Sequence, residues 1–135
     1  TAKTGLVKHT DGKYYYVVKG VKSDATLLVK HTDGKYYYVE GGKVNTAKTG
    51  LVKHTDGNHY YVVNGVKSSS TLLVKHTNGK YYCVQSGKVN FAKTGLVKHS
   101  NGKWYFVNKG IVDFAKNGKV LHSGKYYTVK KGVVV

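Results

Sequence analysis

The chain has 135 residues, enough for one domain, and it contains no Pro, no Met and no Arg. Its 23 basic residues are all Lys and outnumber six acidic residues, so the formal net charge is +17. This charge favours polyanionic partners such as teichoic acids, acidic glycans, anionic membranes or nucleic acid, or it only keeps a Tyr-rich surface soluble. The lack of Arg disfavours sequence-specific reading of nucleic acid, and no stretch is long and apolar enough to span a bilayer.

Six copies of one short repeat fill the chain, each marked by a His, and the markers are 22 or 23 residues apart. A period of this length predicts stacked supersecondary units rather than a globule with one buried catalytic pocket. We predict a single repeat domain over residues 1–135. Its repeats cover approximately 5–26, 27–49, 50–71, 72–94, 95–117 and 118–135.

The first repeat has the pattern of a β-hairpin. Residues 6–10 predict one strand, Asp11-Gly12 predicts a type I′ turn, and residues 13–18 predict an aromatic and β-branched return strand. A two-residue turn would set the pairing of the two strands. The expected pairs are Thr10–Lys13, His9–Tyr14, Lys8–Tyr15, Val7–Tyr16 and Leu6–Val17. One face of the hairpin would then carry Leu6, Lys8, Tyr15 and Val17, and the other Val7, His9, Tyr14 and Tyr16.

The central Tyr of the return strand and the Val two places later are the same in all six repeats. This identity predicts an interior column with one shape to fill. The residues directly before and after the central Tyr vary within an aromatic theme, which is typical of a partly exposed shelf. Since no helical periodicity is present, the fold class predicted is all-β, a solenoid of six stacked β-hairpin repeats.

Three local features refine this prediction. Connectors of two alternating lengths predict a structure that repeats over pairs of about 45 residues. The last repeat has a shorter turn at Ser123-Gly124, which would place Leu121 where the other repeats have His and make this repeat a terminal cap. Cys83 stands where other repeats carry Tyr or Phe, and we expect it to be a small packed hydrophobic residue.

The run Gly-Leu-Val-Lys-His-Thr-Asp-Gly-Lys-Tyr-Tyr-Tyr-Val, with a Gly three residues later, resembles the cell-wall-binding repeats of Gram-positive surface proteins. That family includes choline-binding modules and the glucan-binding and toxin repeats. The resemblance implies a secreted or surface-held solenoid of hairpins that binds wall polymers or glycans through aromatic sites between neighbouring hairpins. By position, it implies ligand-binding roles for Tyr14, Tyr16, Tyr36, Tyr38, Tyr61, Tyr81, Trp104 and Phe106. Because an aliphatic residue replaces the Trp that follows Gly in the family, and the charge repels cations, we favour an anionic or neutral glycan over choline.

The His of the first five repeats form a row, and we include them as candidate ligand contacts: His9, His31, His54, His76 and His99. We expect each to stack on its paired Tyr or to hydrogen-bond a connector. Protonation of the row would strengthen polyanion binding at pH 5.5 relative to pH 7.5. A metal site needs several ligands within a few ångström, and we predict neither a metal nor a cofactor.

The sequence predicts no enzyme activity. Three of the six acidic residues lie in the predicted turns, so no carboxylate pair is evident, and no Ser-His-Asp, phosphate-loop or zinc pattern is present. The leading hypothesis is a non-catalytic module that binds a cell-wall polymer or glycan. An alternative is a structural element that self-associates head to tail. If the end of one copy were joined to the start of the next, the number of residues from the last Gly to the first His would equal the number from Gly42 to His54. A third is a cationic module for nucleic acid or membrane surfaces.

Overall fold

The computed structural model describes residues 3–135, and all regular structure within that range is β-strand. The chain divides into two compact halves, the first ending at Ser68 and the second beginning at Ser69. Each half holds three hairpins, and each hairpin consists of a first strand, a return strand and a two-residue third strand. The predicted all-β fold built from β-hairpin repeats is therefore confirmed.

The return strands are the aromatic and β-branched runs, whose side chains favour an extended, pleated backbone. The strands of the first half are β1 (Gly5–Lys8), β2 (Tyr14–Val18), β3 (Val21–Lys22), β4 (Leu27–Lys30), β5 (Tyr36–Glu40), β6 (Lys43–Val44), β7 (Gly50–Lys53), β8 (His59–Val63) and β9 (Val66–Lys67). Those of the second half are β10 (Leu72–Lys75), β11 (Tyr81–Gln85), β12 (Lys88–Val89), β13 (Gly95–Lys98), β14 (Trp104–Asn108), β15 (Ile111–Val112), β16 (Gly118–His122), β17 (Lys125–Lys130) and β18 (Val133–Val134).

The strand register differs by one residue from the predicted one, so the five predicted pairs are wrong. The observed pairs of the first hairpin are Gly5–Val17, Leu6–Tyr16, Val7–Tyr15 and Lys8–Tyr14. The corresponding register recurs in the next four hairpins. A slip of one residue turns one strand over relative to the other, and the composition of both faces changes. One face carries Leu6, Lys8, Tyr14 and Tyr16, and the other carries Gly5, Val7, Tyr15 and Val17.

The cause of the slip is the loop, which is longer than a type I′ turn. Gly12 has φ +84°, but Asp11 does not have a positive φ. The His9 N–H donates to the Lys13 carbonyl at 2.8 Å and the Gly12 N–H donates to the His9 carbonyl at 2.9 Å. The Asp11 carboxylate accepts the Lys13 N–H at 2.9 Å, a local side-chain bond that stabilises this wider loop.

Turns with two positive φ values lie instead at the other end of the return strand. Asn64 and Gly65 have φ of 50° and 79° and connect β8 to β9. Gly65 also passes close to the preceding repeat, since a Cβ there would lie 2.4 Å from the Asn45 carbonyl oxygen. Glycine is therefore required both for the backbone conformation and for the close approach of two repeats.

The last hairpin does have a two-residue loop, at Ser123 and Gly124, with φ of 49° and 79°. Leu121 pairs with Tyr126 as expected. In the other hairpins, however, a Lys occupies this paired position, as Lys8 does opposite Tyr14, so Leu121 replaces Lys and not His.

Consecutive hairpins in each half stack through apolar faces, as predicted for a solenoid. In the first half, the Leu6 face of the first hairpin packs against Val29 and Val39 of the second, with Tyr16 alongside. Leu28 and Tyr38 pack in the same way against the third hairpin. In the second half, the corresponding cluster is Leu73, Cys83, Val97, Val107 and Val112. Cys83 is thus a packed core residue, as expected.

The invariant Val forms the predicted interior position in five of the six hairpins. The fully buried members are Val39, Val62, Val84, Val107 and Val129, whereas Val17 is half-buried. The central Tyr residues are half-buried rather than interior, which corrects the prediction. In the first five hairpins their hydroxyl groups bond to the loop of their own hairpin, and this keeps one end of each ring at the surface, as for Tyr37 and Asp33.

Candidate binding grooves between hairpins

Three rings meet where two consecutive hairpins stack. The Tyr14 ring of the first hairpin lies 5.8 Å from the His31 ring of the second, and His31 lies edge-on to Tyr37 at 5.8 Å. In the second half, the centroids of Trp104 and His122 are 5.2 Å apart. The register explains this arrangement, because Tyr14 shares a face with Leu6 and Tyr16, and this is the face that packs on the next hairpin.

Grooves lie between consecutive hairpins at corresponding places in the two halves. The groove of the first half has a volume of about 300 Å³ and is lined by Leu28, Tyr36, His54, Asp56, Tyr60 and Lys67. The groove of the second half measures about 200 Å³ and is lined by Leu73, Tyr81, His99, Asn101, Tyr105, Val112 and Phe114. We call them the Lys67 groove and the Phe114 groove. Their shared residues lie 45 positions apart, which agrees with the predicted pairwise repeat.

A histidine is held in the same way in both grooves. The Leu28 N–H donates to His54 Nδ1 at 3.0 Å, and the Leu73 N–H donates to His99 Nδ1 at 3.1 Å. A neutral imidazole that accepts through Nδ1 carries its proton on Nε2, so each groove has an N–H donor in its lining. The observed register gives these His rings a different ring contact from the stacking on a paired residue that the sequence predicted. They lie edge-on to the central Tyr of their own hairpin, as His54 does on Tyr60 at 5.9 Å.

The hydroxyl of the central Tyr is bonded to its loop, and the charge of that loop differs between the halves. In the Lys67 groove, the Tyr60 hydroxyl donates to the Asp56 carboxylate at 2.5 Å, and the Asn58 N–H donates to the same group at 2.9 Å. These bonds lower the pKa of Asp56 to about 2 and raise the pKa of Tyr60. In the Phe114 groove, the Asn101 amide donates to the Tyr105 hydroxyl at 2.9 Å, so no carboxylate is present there.

The ligand-binding residues expected from the sequence have two different environments. Of those before the central Tyr, Tyr36 lines the Lys67 groove and Tyr81 lines the Phe114 groove. Tyr14, Tyr36 and Trp104 are 36–41% exposed. Those after the central Tyr lie at or near the hairpin interface. Tyr38 is buried in the core, while Tyr16, Tyr61 and Phe106 are half-buried.

The remaining members of the His row also contact a central Tyr. His9 lies edge-on to Tyr15 with ring centroids 5.7 Å apart, and His76 lies edge-on to Tyr82 at 5.8 Å. Within residues 3–135, no three His, Cys, Asp or Glu side chains are placed so that they could share a metal ion. The Cys83 thiol is buried and its pKa is raised by the loss of solvation.

Several groove residues were not predicted from the sequence. Lys67, Tyr60 and Phe114 enter the linings only because the next hairpin stacks on the previous one. In the first five hairpins, the observed register also places a Lys directly across from the residue before the central Tyr, as Lys30 is across from Tyr36. The one local signal was that Phe91 and Phe114 are the only aromatic residues in the connectors.

Comparison with known proteins identifies the family of this chain. A family model described as a choline-binding repeat matches residues 2–22, 28–45, 47–67, 73–90 and 92–113. Among solved structures, alternansucrase in complex with isomaltononaose matches with 20% identity and a TM-score of 0.47, covering 97% of this chain and 10% of the alternansucrase. This chain thus spans about a tenth of that protein.

No curated protein matches this sequence. No helix in residues 3–135 is long and apolar enough to cross a membrane. The five matched segments together cover well over half of the sequence and confirm the predicted resemblance. The chain belongs to the choline-binding repeat family.

Proposed function

We propose that this chain is a non-catalytic module of a secreted or surface-held protein, and that it binds a cell-wall polymer or glycan between consecutive hairpins. The observation that carries the proposal is the recurrence of one groove in both halves, with an exposed aromatic ring at its mouth. Membership of a family of binding repeats supports the same role. The proposed contacts include the predicted residues Tyr36, Tyr81 and Trp104.

The groove chemistry suits a sugar ring. A pyranose has a flat apolar face that can stack on a Tyr ring, and a rim of hydroxyl groups that can bond to the imidazole N–H of His54 or His99. Leu28 and Leu73 leave one wall of each groove aliphatic, and the net charge of +17 repels a cationic ligand. An anionic or neutral glycan fits these features better than choline does.

Exposed lysines beside the grooves would add affinity for an anionic polymer. Lys30 pairs across the hairpin with Tyr36, and Lys75 pairs with Tyr81. Each Lys could contact a phosphate or carboxylate of a polymer whose sugar rests on the neighbouring ring, as in teichoic acid. Each site would be weak alone, but several sites on one chain gain affinity if the polymer spans them.

A pull-down with purified cell walls, with and without teichoic acid, tests the proposal. We expect Tyr36→Ala and Tyr81→Ala to reduce retention several-fold, because each removes an aromatic ring from the lining of a groove. Tyr126→Ala is the matched control, since Tyr126 is 70% exposed on the last hairpin and lines neither the Lys67 nor the Phe114 groove. Full retention of both groove variants, with unchanged circular dichroism, would contradict the proposal.

The same assay at low and high salt distinguishes glycan binding from the alternative of a cationic module for nucleic acid or membranes. Binding to nucleic acid or membranes through charge alone would fall steeply between low and high salt, whereas stacking on sugars would change little. Repeating the assay at pH 5.5 and pH 7.5 measures the predicted effect of protonating the His row, which stays a prediction.

Head-to-tail association also stays a prediction. In the stacked hairpins, a Leu and an aromatic residue or Cys fill the face toward the next hairpin, but the last hairpin has Lys119 paired with Thr128 at these positions. This polar pair is a poor match for the half-buried Val7 and Val17 of the first hairpin. Sedimentation velocity over a range of concentrations would reveal any self-association.

A further inference from the structure

The two grooves share a framework of four positions and differ at three others. Leu28, Tyr36, His54 and Tyr60 correspond to Leu73, Tyr81, His99 and Tyr105. At two further positions, Asp56 is replaced by Asn101, and Lys67 by Val112. In the second half Phe114 joins the lining, and the corresponding position in the earlier repeat is Ser69.

These differences change the polarity of the grooves. The Lys67 groove holds the Asp56 carboxylate, ionised at neutral pH because its pKa is about 2, and the Lys67 ammonium, which lies 5.6 Å from the centre of the Tyr60 ring. The Phe114 groove has no Asp, Glu or Lys in its lining.

Phe114 enlarges the aromatic surface of its groove. Its ring lies 5.8 Å from that of Tyr81 at an interplanar angle of 77°, and 49% of the side chain is exposed. An exposed phenyl ring held at a steep angle to a neighbouring Tyr offers two apolar faces to a ligand.

We propose that the Phe114 groove is the subsite of this chain for an uncharged sugar ring, and that the Lys67 groove binds such a ring much more weakly. The inference rests on the proposed glycan-binding function and specifies the ligand class of one of its sites. A neutral sugar entering the Phe114 groove covers two aromatic rings and displaces water from no charged side chain of the lining. In the Lys67 groove the same sugar would displace water from the Lys67 ammonium and the Asp56 carboxylate. Because the sugar is neutral, it would offer neither group an opposite charge in return.

Nuclear magnetic resonance of the aromatic side chains of the full chain tests this inference, with short neutral gluco- and chito-oligosaccharides as probes. We expect Tyr81, Tyr105 and Phe114 to respond at concentrations about tenfold below those that affect Tyr36 and Tyr60. Phe114→Ser should raise the Kd read at Tyr81 about tenfold, which corresponds to losing one good aromatic contact. Because Phe114 is exposed, this variant should fold.

Phe91→Ser is the matched control. Phe91 is a connector phenylalanine with 45% exposure that contacts Tyr82 and is not part of the Phe114 groove lining, so the Kd read at Tyr81 should not change. Equal Kd values in the two grooves, or an unchanged Kd in Phe114→Ser, would overturn the inference while the proposed function stands. If no ring in either groove responds and the wall pull-down also fails, the inference and the proposed function fall together.

Discussion

The Nδ1 atom of His54 accepts the backbone N–H of Leu28 at 3.0 Å and so joins the loop of the third hairpin to the first strand of the second. The same bond recurs between His99 and Leu73 at 3.1 Å. In both halves the hydrogen bond lies in the lining of a groove and satisfies a backbone donor of the previous hairpin. The two grooves therefore owe their common geometry to the same contact between hairpins.

Replacing this His by Phe should destabilise the first half. His54→Phe keeps a ring of similar size but removes the acceptor, which leaves the Leu28 N–H without its partner. We expect the free energy of unfolding to fall by about 1–2 kcal/mol. Urea denaturation measures it, with His9→Phe as the control, because the described ring contact of His9 is to Tyr15 of its own hairpin. Equal losses in the two variants would show that the bond to Leu28 contributes nothing.

Two glycines with nearly the same φ should respond very differently to Ala. Gly57 has φ +85°, and a Cβ added there would meet nothing within 4 Å, so Gly57→Ala should cost only the left-handed backbone penalty of about 1–2 kcal/mol. Gly65 has φ +79°, and its Cβ would lie 2.4 Å from the Asn45 carbonyl oxygen. Gly65→Ala should cost roughly 2 kcal/mol more, because the two repeats must move apart. Thermal unfolding compares them, and similar melting temperatures would argue against the close approach.

The bond between Asp56 and Tyr60 should limit stability at both extremes of pH. The pKa of Asp56 is lowered from 3.8 to about 2, so its contribution is complete above pH 4 and is lost as pH falls through about 2. The pKa of Tyr60 is raised above 10.0, so its contribution is complete below pH 10 and is lost as pH rises through the raised value.

Carbon-13 titration of the Asp56 carboxyl checks this pH dependence. Tyr60→Phe should return the pKa of Asp56 toward 3.8, because the hydroxyl of Tyr60 is the main cause of the shift. Tyr126→Phe should leave the titration unchanged. An Asp56 that titrates near 3.8 in the unmodified protein would refute the bond.

Truncation of the invariant Val should lower the free energy of unfolding most in a hairpin whose Val is covered by the preceding hairpin. Val39 is fully buried between the first and second hairpins, and Val39→Ala should cost about 2 kcal/mol from lost burial and the cavity left behind. Val17 is half-buried on the first hairpin, so Val17→Ala should cost less than about 1 kcal/mol. Chemical denaturation of the two variants gives the comparison, and the reverse order would contradict the stacking.

The hairpins and their number could be predicted because the signals are local and repeated. Alternating apolar residues, a loop with Gly and an aromatic return strand lie within about twenty residues, and each copy supports the others. The register could not be predicted in the same way. Asp11-Gly12 is a strong type I′ signal, but the Asp11 carboxylate accepts the Lys13 N–H and closes a wider loop. That single residue of difference placed Lys8 on the face of Tyr14 and Tyr16, where the predicted register had placed it with Tyr15 and Val17.

Tyr14, Tyr15 and Tyr16 illustrate which features the sequence determines and which depend on tertiary packing. Side-chain alternation along a strand means that Tyr14 and Tyr16 share one face and Tyr15 takes the other, and the sequence by itself determined that much. Only the stacking of the next hairpin decided that Tyr14 meets His31 across two hairpins while Tyr16 packs beside the core. The reason is physical: identical side chains acquire different environments from the neighbours that cover them, and those neighbours are brought there by contacts between repeats.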